Sequence, residues 1–310
     1  MQMIETIFPV FFMIALGFTS RVKGLITPEQ NAGAKTIIFK LLFPFLIFNA
    51  IFTSELKADY ALVILYVFVM FLIVLLLRKV IGKLLDRDFS TVGPYMLATA
   101  EGGNVGLPLY IALMGAAYMI NIVMFDIASA LIVFMVIPII VTREKAGNVS
   151  LKELLLTLVK NPFMIAVTLS IVGNLCGVYD AISKSDFAGL YSNTFAMITS
   201  PIAAIILFVI GYDLKVDMKT LPSLLKLMVC RLLFCALIIG GFFLLFPGLM
   251  VVKAFKFAAI LYFMCPTGFA VPLMVSPLCK GEKDSSFLSA FVSMYMVITL
   301  VVYVVLVALV

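Results

Sequence analysis

Apolar runs of about 20 residues follow one another along the whole chain, each closed by charged or turn residues, and each is long enough to cross a hydrocarbon layer of about 30 Å as a helix. The pattern predicts ten spans: 4–20, 33–53, 60–79, 93–116, 118–141, 161–178, 191–212, 222–246, 254–278 and 285–310. The connections are short, and the two longest, 142–160 and 179–190, carry polar segments such as TREKAGN and DAISKSD. Runs distributed in this way exclude a single anchor on a soluble domain. The expected fold class is an all-α polytopic membrane protein.

Two spans interrupt their own pattern. Span 4 contains GGNVGLP and span 9 contains CPTGFAVP. Proline removes a backbone donor and crowds the preceding turn, and glycine costs a helix interior about 1 kcal/mol, so both helices are expected to break there. Backbone freed at membrane depth is tolerated only inside protein or beside a wet cavity. With Pro94 starting span 4, Asn104 lies about ten residues, or roughly 15 Å, into the layer, near its midplane. Thr267 in span 9 falls at a similar depth from the other side. Two crossing broken helices present half-helix N-termini to an anion and C-terminal carbonyls to a cation.

The punctuation recurs between the halves. FPVFFMIALGF of span 1 matches NPFMIAVTLSIVG of span 6, Pro44 of span 2 matches Pro201 of span 7, and NVGLP matches PTGFAVP. Five spans per half force the second half to enter from the opposite face, an inverted repeat of the kind used for alternating access. The division is 1–141 for the first repeat, 142–160 for a cytoplasmic linker and 161–310 for the second.

Charge orients the spans. Loops after odd-numbered spans hold Arg21, Lys23 and Lys35, then Arg78, Lys79, Lys83 and Arg87, then Arg143, Lys145, Lys152 and Lys160, then Lys215, Lys219 and Lys226, then Lys280 and Lys283. The opposite loops hold only Lys57, Lys184, Lys253 and Lys256, while Lys40 and Arg231 lie inside spans. Both termini are therefore expected outside. The basic residues form no aromatic-laced stripe, so the net charge of +6 does not point to nucleic acid. Only 12% of residues are charged and 64% are hydrophobic, which leaves no ionic surface for a water-soluble protein. The N-terminal run carries Glu5 and no basic start, so it reads as the first span and not as a secretory signal. Cys176, Cys230, Cys235, Cys265 and Cys279 form no ligand spacing and histidine is absent, so no metal site or cofactor is expected.

Candidate chemistry gathers at the interruptions. Asn104 offers an amide to a carboxylate or an oxygen to a cation; its alternative role is to cap the half-helix that follows. Glu101, one turn earlier, is a candidate to carry H+ or bind Na+ as coupling ion, or else to pair with a basic side chain such as Arg231. Asp126 in span 5 is a second carboxylate for the same task. Thr267 and Gly268 contribute hydroxyl and backbone groups, and Asn49, Ser200 and Pro201 are expected in a cavity wall. The 28 phenylalanines and 18 methionines read as packing and lipid contact.

GGNVGLPL in span 4, PTGFAVPLMV in span 9, the paired Pro44 and Pro201, and ten spans with external termini together resemble the auxin efflux carrier family, which includes the plant PIN exporters and bacterial permeases for malate-type acids. The resemblance covers essentially the whole chain, without the long plant-type insert between spans 5 and 6. It implies a fold similar to the bile acid:sodium symporters, with spans 1, 2, 6 and 7 as scaffold and spans 3–5 and 8–10 as a transport domain moving like an elevator. It implies substrate contacts at Asn104, Gly106, Pro108, Thr267, Gly268 and Pro272, and a homodimer joined through the scaffold. Glu101 departs from the plant pattern, which puts their coupling mode in doubt here.

The function expected is secondary transport of small organic anions in a bacterial cytoplasmic membrane. A sodium-coupled bile-acid-type symporter is the alternative, followed by an anion channel. No GxxxxGK[ST] loop supplies an ATP engine, and no HExxH, GxSxG or facing carboxylate pair suggests an enzyme.

Overall fold

The computed structural model describes residues 2–54, 58–146, 156, 159–160, 162–213 and 221–310. Lys57, Lys152, Lys215, Lys219 and most of the expected 142–160 linker lie outside the described residues. The apolar runs fold as α1 (Gln2–Val22), α2 (Pro28–Phe52), α3 (Ala58–Gly82), α4 (Gly102–Met114), α5 (Ile120–Lys145), α6 (Pro162–Leu175), α7 (Val178–Ser183), α8 (Ala188–Asp213), α9 (Leu221–Leu245), α10 (Pro247–Val251), α11 (Lys253–Phe263), α12 (Val271–Val275) and α13 (Glu282–Ala308). Six of the described helices, α2, α3, α5, α8, α9 and α13, contain stretches long and apolar enough to cross a membrane. α6, the Phe8–Val22 part of α1, and α4 are apolar but shorter. The protein is an all-α polytopic membrane protein, with no strand among the described residues.

Proline shapes several of these helices. α2, α4 and α5 each contain one widened π turn, at Ile38–Leu42, Gly102–Gly106 and Ile132–Val136. In every case the second residue beyond the turn is a proline: Pro44, Pro108 and Pro138. A proline ring inside a helix lacks an N–H and collides with the carbonyl four residues back; an i→i+5 turn just before it accommodates both defects without ending the helix. GGNVGLP therefore does not break span 4, contrary to the sequence expectation. The break lies upstream, where residues 93–97 form a 3₁₀ turn and residues 98–101 are non-helical. Span 4 is accordingly a short turn, an extended link and one half-helix. Span 9 is interrupted where expected, since α11 ends at Phe263 and α12 begins at Val271.

α1 lies along α8 and α2 packs on α6. The first contact is close because both helices are bare at the crossing: a Cβ on Gly17 would strike the Phe208 carbonyl, and one on Gly211 the Ile14 carbonyl. Small residues bringing helix backbones together are the usual means of association where no hydrophobic drive exists. A second body of packing surrounds Phe125, Phe242, Phe255 and Phe263, all buried and in mutual ring contact across α5, α9 and α11. Leu76, Leu175, Leu237 and Leu244 point outward, as side chains in lipid can. Charge returns at the helix ends, where Arg78 pairs with Glu144 at 2.6 Å and Lys226 with Asp86 at 2.6 Å.

Candidate functional site

The two interruptions meet. The Glu101 amide donates to the Pro266 carbonyl at 2.8 Å, a main-chain bond between segments that are remote in sequence. The Gly268 amide donates to Thr99 Oγ1 at 3.2 Å, and the Thr267 hydroxyl donates to the Met96 carbonyl. Thr99, Glu101, Thr267 and Gly268 are all buried. Each non-helical stretch thus supplies partners for the other, which is how exposed main chain is accommodated at this depth.

Glu101 fastens the crossing. Its Oε1 accepts from the Asn104 amide at 3.2 Å and from Asn104 Nδ2 at 2.5 Å; its Oε2 accepts from the Phe269 amide at 2.5 Å. The carboxylate therefore caps the first turn of α4 and holds the link before α12, using orphan donors that a helix start always leaves. No ion pair joins it to Arg231, so the pairing considered from sequence is not the one formed among the described residues. Arg231, in the middle of α9 and 1% exposed, instead donates from Nη1 to the Met96 carbonyl at 2.8 Å and to Thr267 Oγ1 at 2.9 Å, and from Nη2 to the Cys265 carbonyl at 2.8 Å.

Asp126 comes to the same place from α5. Its Oδ1 accepts from the Gly102 amide at 3.1 Å and from the Tyr262 hydroxyl at 3.4 Å. Tyr262 in turn shares a 2.6 Å hydrogen bond with Ser129, whose oxygen receives the Ala100 amide at 3.3 Å. Gly102 is required here, because a Cβ would overlap Asp126 and the Tyr262 ring. Sequence reasoning missed Tyr262, Ser129 and Thr99. Only their spacing from the motifs along apolar faces marks them, and that is no different from core packing.

The predicted contact residues divide by accessibility. Gly106, Pro108, Thr267 and Gly268 are buried, and the Thr267 hydroxyl is already engaged twice. Pro272 is half-buried at the start of α12. Asn104 is the one residue of 101–110 that is not fully buried. A cavity of about 180 Å³ is lined by Gly103, Leu107, Pro108, Thr199 and Ser200, while Asn104, Glu101, Thr267 and Gly268 are not in its wall. It shares Pro108, Ile111, Ser200 and Ala203 with a larger one of about 850 Å³ that runs between α1, α4 and α8 to Val307 and Ala308. Ser200 lines both cavities. Pro201 neighbours it inside α8 without lining either cavity, and Asn49 is bonded through Oδ1 to the Tyr191 hydroxyl at 2.8 Å. Among the described residues no group of His, Cys, Asp and Glu forms a metal cluster.

A family model described as membrane transport protein matches residues 2–309. No curated protein sequence matches the chain.

Proposed function

The chain belongs to the membrane transport protein family, that of the auxin efflux carriers, and from that premise we propose that it carries small organic anions across the membrane by alternating access, with the crossover as binding site. The observation that carries this reading is the main-chain bond from Glu101 to Pro266, because it joins two interrupted segments beside a partly exposed Asn104, which adjoins Gly103 of the cavity wall. The amides of Gly102 and Asn104 are taken by Asp126 and Glu101, and Asn104 Nδ2 keeps one N–H beyond its bond to Glu101, a side-chain donor that suits a carboxylate. The apolar remainder of the cavity suits the carbon skeleton of such an acid.

Movement follows from the packing. The α1–α8 and α2–α6 contacts support a scaffold of spans 1, 2, 6 and 7 within two inverted five-helix repeats, against which spans 3–5 and 8–10 slide as a transport domain. The cavity between α1, α4 and α8 lies at that boundary. The same reading places the carrier as a homodimer in a bacterial cytoplasmic membrane, both termini outside, with H+ or Na+ as coupling ion at Glu101 and Asp126. It performs no chemical conversion.

Proteoliposomes loaded with a series of mono- and dicarboxylates test the proposal. Wild-type protein is expected to exchange at least one of them, and Asn104→Ala to lose that flux while remaining folded at the assay temperature, with a midpoint lowered by the loss of the Asn104–Glu101 bond. Equal flux through the variant overturns the crossover as binding site. Flux driven by a sodium gradient at fixed pH would instead favour a bile-acid-type symporter.

A further inference from the structure

Arg231 is a fully buried cation with no carboxylate partner among the described residues, and its ligands are the ends of the broken helices. Met96 lies in the last turn of the 3₁₀ segment before one interruption and Cys265 follows the last turn of α11 before the other. Their carbonyls, with Thr267 Oγ1 between them, surround the guanidinium at 2.8–2.9 Å. Two helix C-termini concentrate partial negative charge, and carbonyl plus hydroxyl oxygens are the donor set a hard monovalent cation takes. The Tyr295 ring covers the guanidinium at 4.9 Å, while Nε has no hydrogen-bond partner among the described residues. An arginine retained for its side-chain hydrogen bonds alone would not leave Nε unmatched in a buried site; what is matched is the cluster of oxygens.

We infer that the crossover contains a monovalent-cation site built from the Met96 and Cys265 carbonyls and Thr267 Oγ1, and that Arg231 fills it as a tethered cation. The positive charge that holds the two C-terminal ends together is therefore supplied by the chain, and a sodium ion is not needed there. Any coupling ion must act elsewhere, at the carboxylates of Glu101 and Asp126, which face different groups. The inference concerns what organises the crossover and does not require the substrate proposed above to be right.

Thermal unfolding of the purified protein, without any carboxylate ligand, tests it. The difference between the wild-type midpoints in sodium chloride and in choline chloride of equal ionic strength is the baseline, because any sodium bound at Glu101 or Asp126 contributes to it equally in the wild type and the variant. Arg231→Ala vacates the site and is expected to unfold earlier, with most of the loss recovered saturably by millimolar guanidinium chloride, partly by sodium and not by choline, since a ligand bound only by the native state raises the midpoint. An Arg231→Ala protein that folds yet answers guanidinium, sodium and choline alike overturns the inference. Should that variant not fold, Arg231→Lys and Arg231→Gln decide: a midpoint for the lysine variant clearly above that of the glutamine variant supports a cation requirement, and an equal or lower one overturns it. Loss of carboxylate transport in Asn104→Ala bears on neither result, so the two readings fail separately.

Discussion

Glu101 shows how one side chain can set the geometry of a whole crossing. Both of its oxygens face N–H donors, from Asn104 on one and Phe269 on the other. A glutamine offers only one acceptor, so whichever way its amide turns, an NH2 group meets a donor and one buried partner is left unmatched. Glu101→Gln is therefore expected to destabilise the protein by about 1–3 kcal/mol, read as a lower midpoint in thermal or denaturant unfolding. A variant as stable as wild type would mean the carboxylate is not the tie described. The conspicuous half of this arrangement was legible in the sequence, because a lone carboxylate inside an apolar run must have partners. Which partners it takes was not. Arg231 is the obvious counter-charge by composition, yet the fold gives that guanidinium to carbonyls and gives Glu101 to amides, a choice made by backbone direction that residue types do not encode.

At the scale of the element, the prolines of spans 2, 4 and 5 are absorbed by π turns and not by breaks. The interruption of span 9 was legible because glycine and proline cluster there, whereas that of span 4 falls at residues 98–101, just before its cluster, which takes a π turn instead. The exact form was not legible, since a wide turn and a broken helix carry the same residues. This makes Pro108→Ala informative. Restoring the missing donor is expected to let Gly102–Met114 close toward a regular helix, turning Asn104 away from its present position. Carboxylate binding should fall and stability should not rise, since the donor regained is offset by loss of the buried Pro108 ring and of the Asn104–Glu101 bonds. Equal binding in the variant would show that the π turn has no part in placing Asn104. Gly102→Ala acts in the opposite way, forcing a methyl group against Asp126 and Tyr262. It is expected to cost about 1–3 kcal/mol by overpacking, with a lowered unfolding midpoint as the readout.

Across the whole molecule, length, hydropathy and the ordering of apolar runs identified an all-helical membrane protein, because a bilayer imposes that class on any such chain. The pairing of α1 with α8 and α2 with α6 could be reached only through the repeat and the family resemblance, since apolar side chains in lipid carry little information about which helix they meet. Gly17 and Gly211 are the exceptions, and bulk at either should separate α1 from α8. Gly17→Leu is expected to impair assembly, seen as aggregation in size-exclusion chromatography, whereas Leu76→Ala on an outward-facing position of α3 is not. A membrane-impermeant maleimide should label a cysteine placed at Lys283 in a cysteine-free background only from the cytoplasmic side; labelling from outside would reverse the orientation drawn from charge.

The central claim is that the meeting of two interrupted segments holds a small organic anion beside Asn104. Equilibrium binding of a panel of small mono- and dicarboxylates to purified wild-type protein and Asn104→Ala tests it most directly. The account predicts saturable binding of at least one acid to the wild type and about tenfold or greater weakening in the variant, some 1.4 kcal/mol, measured at a temperature where both proteins are folded, since the variant also gives up the Asn104–Glu101 hydrogen bond. Binding of equal strength to both proteins, or of no acid to either, would contradict it.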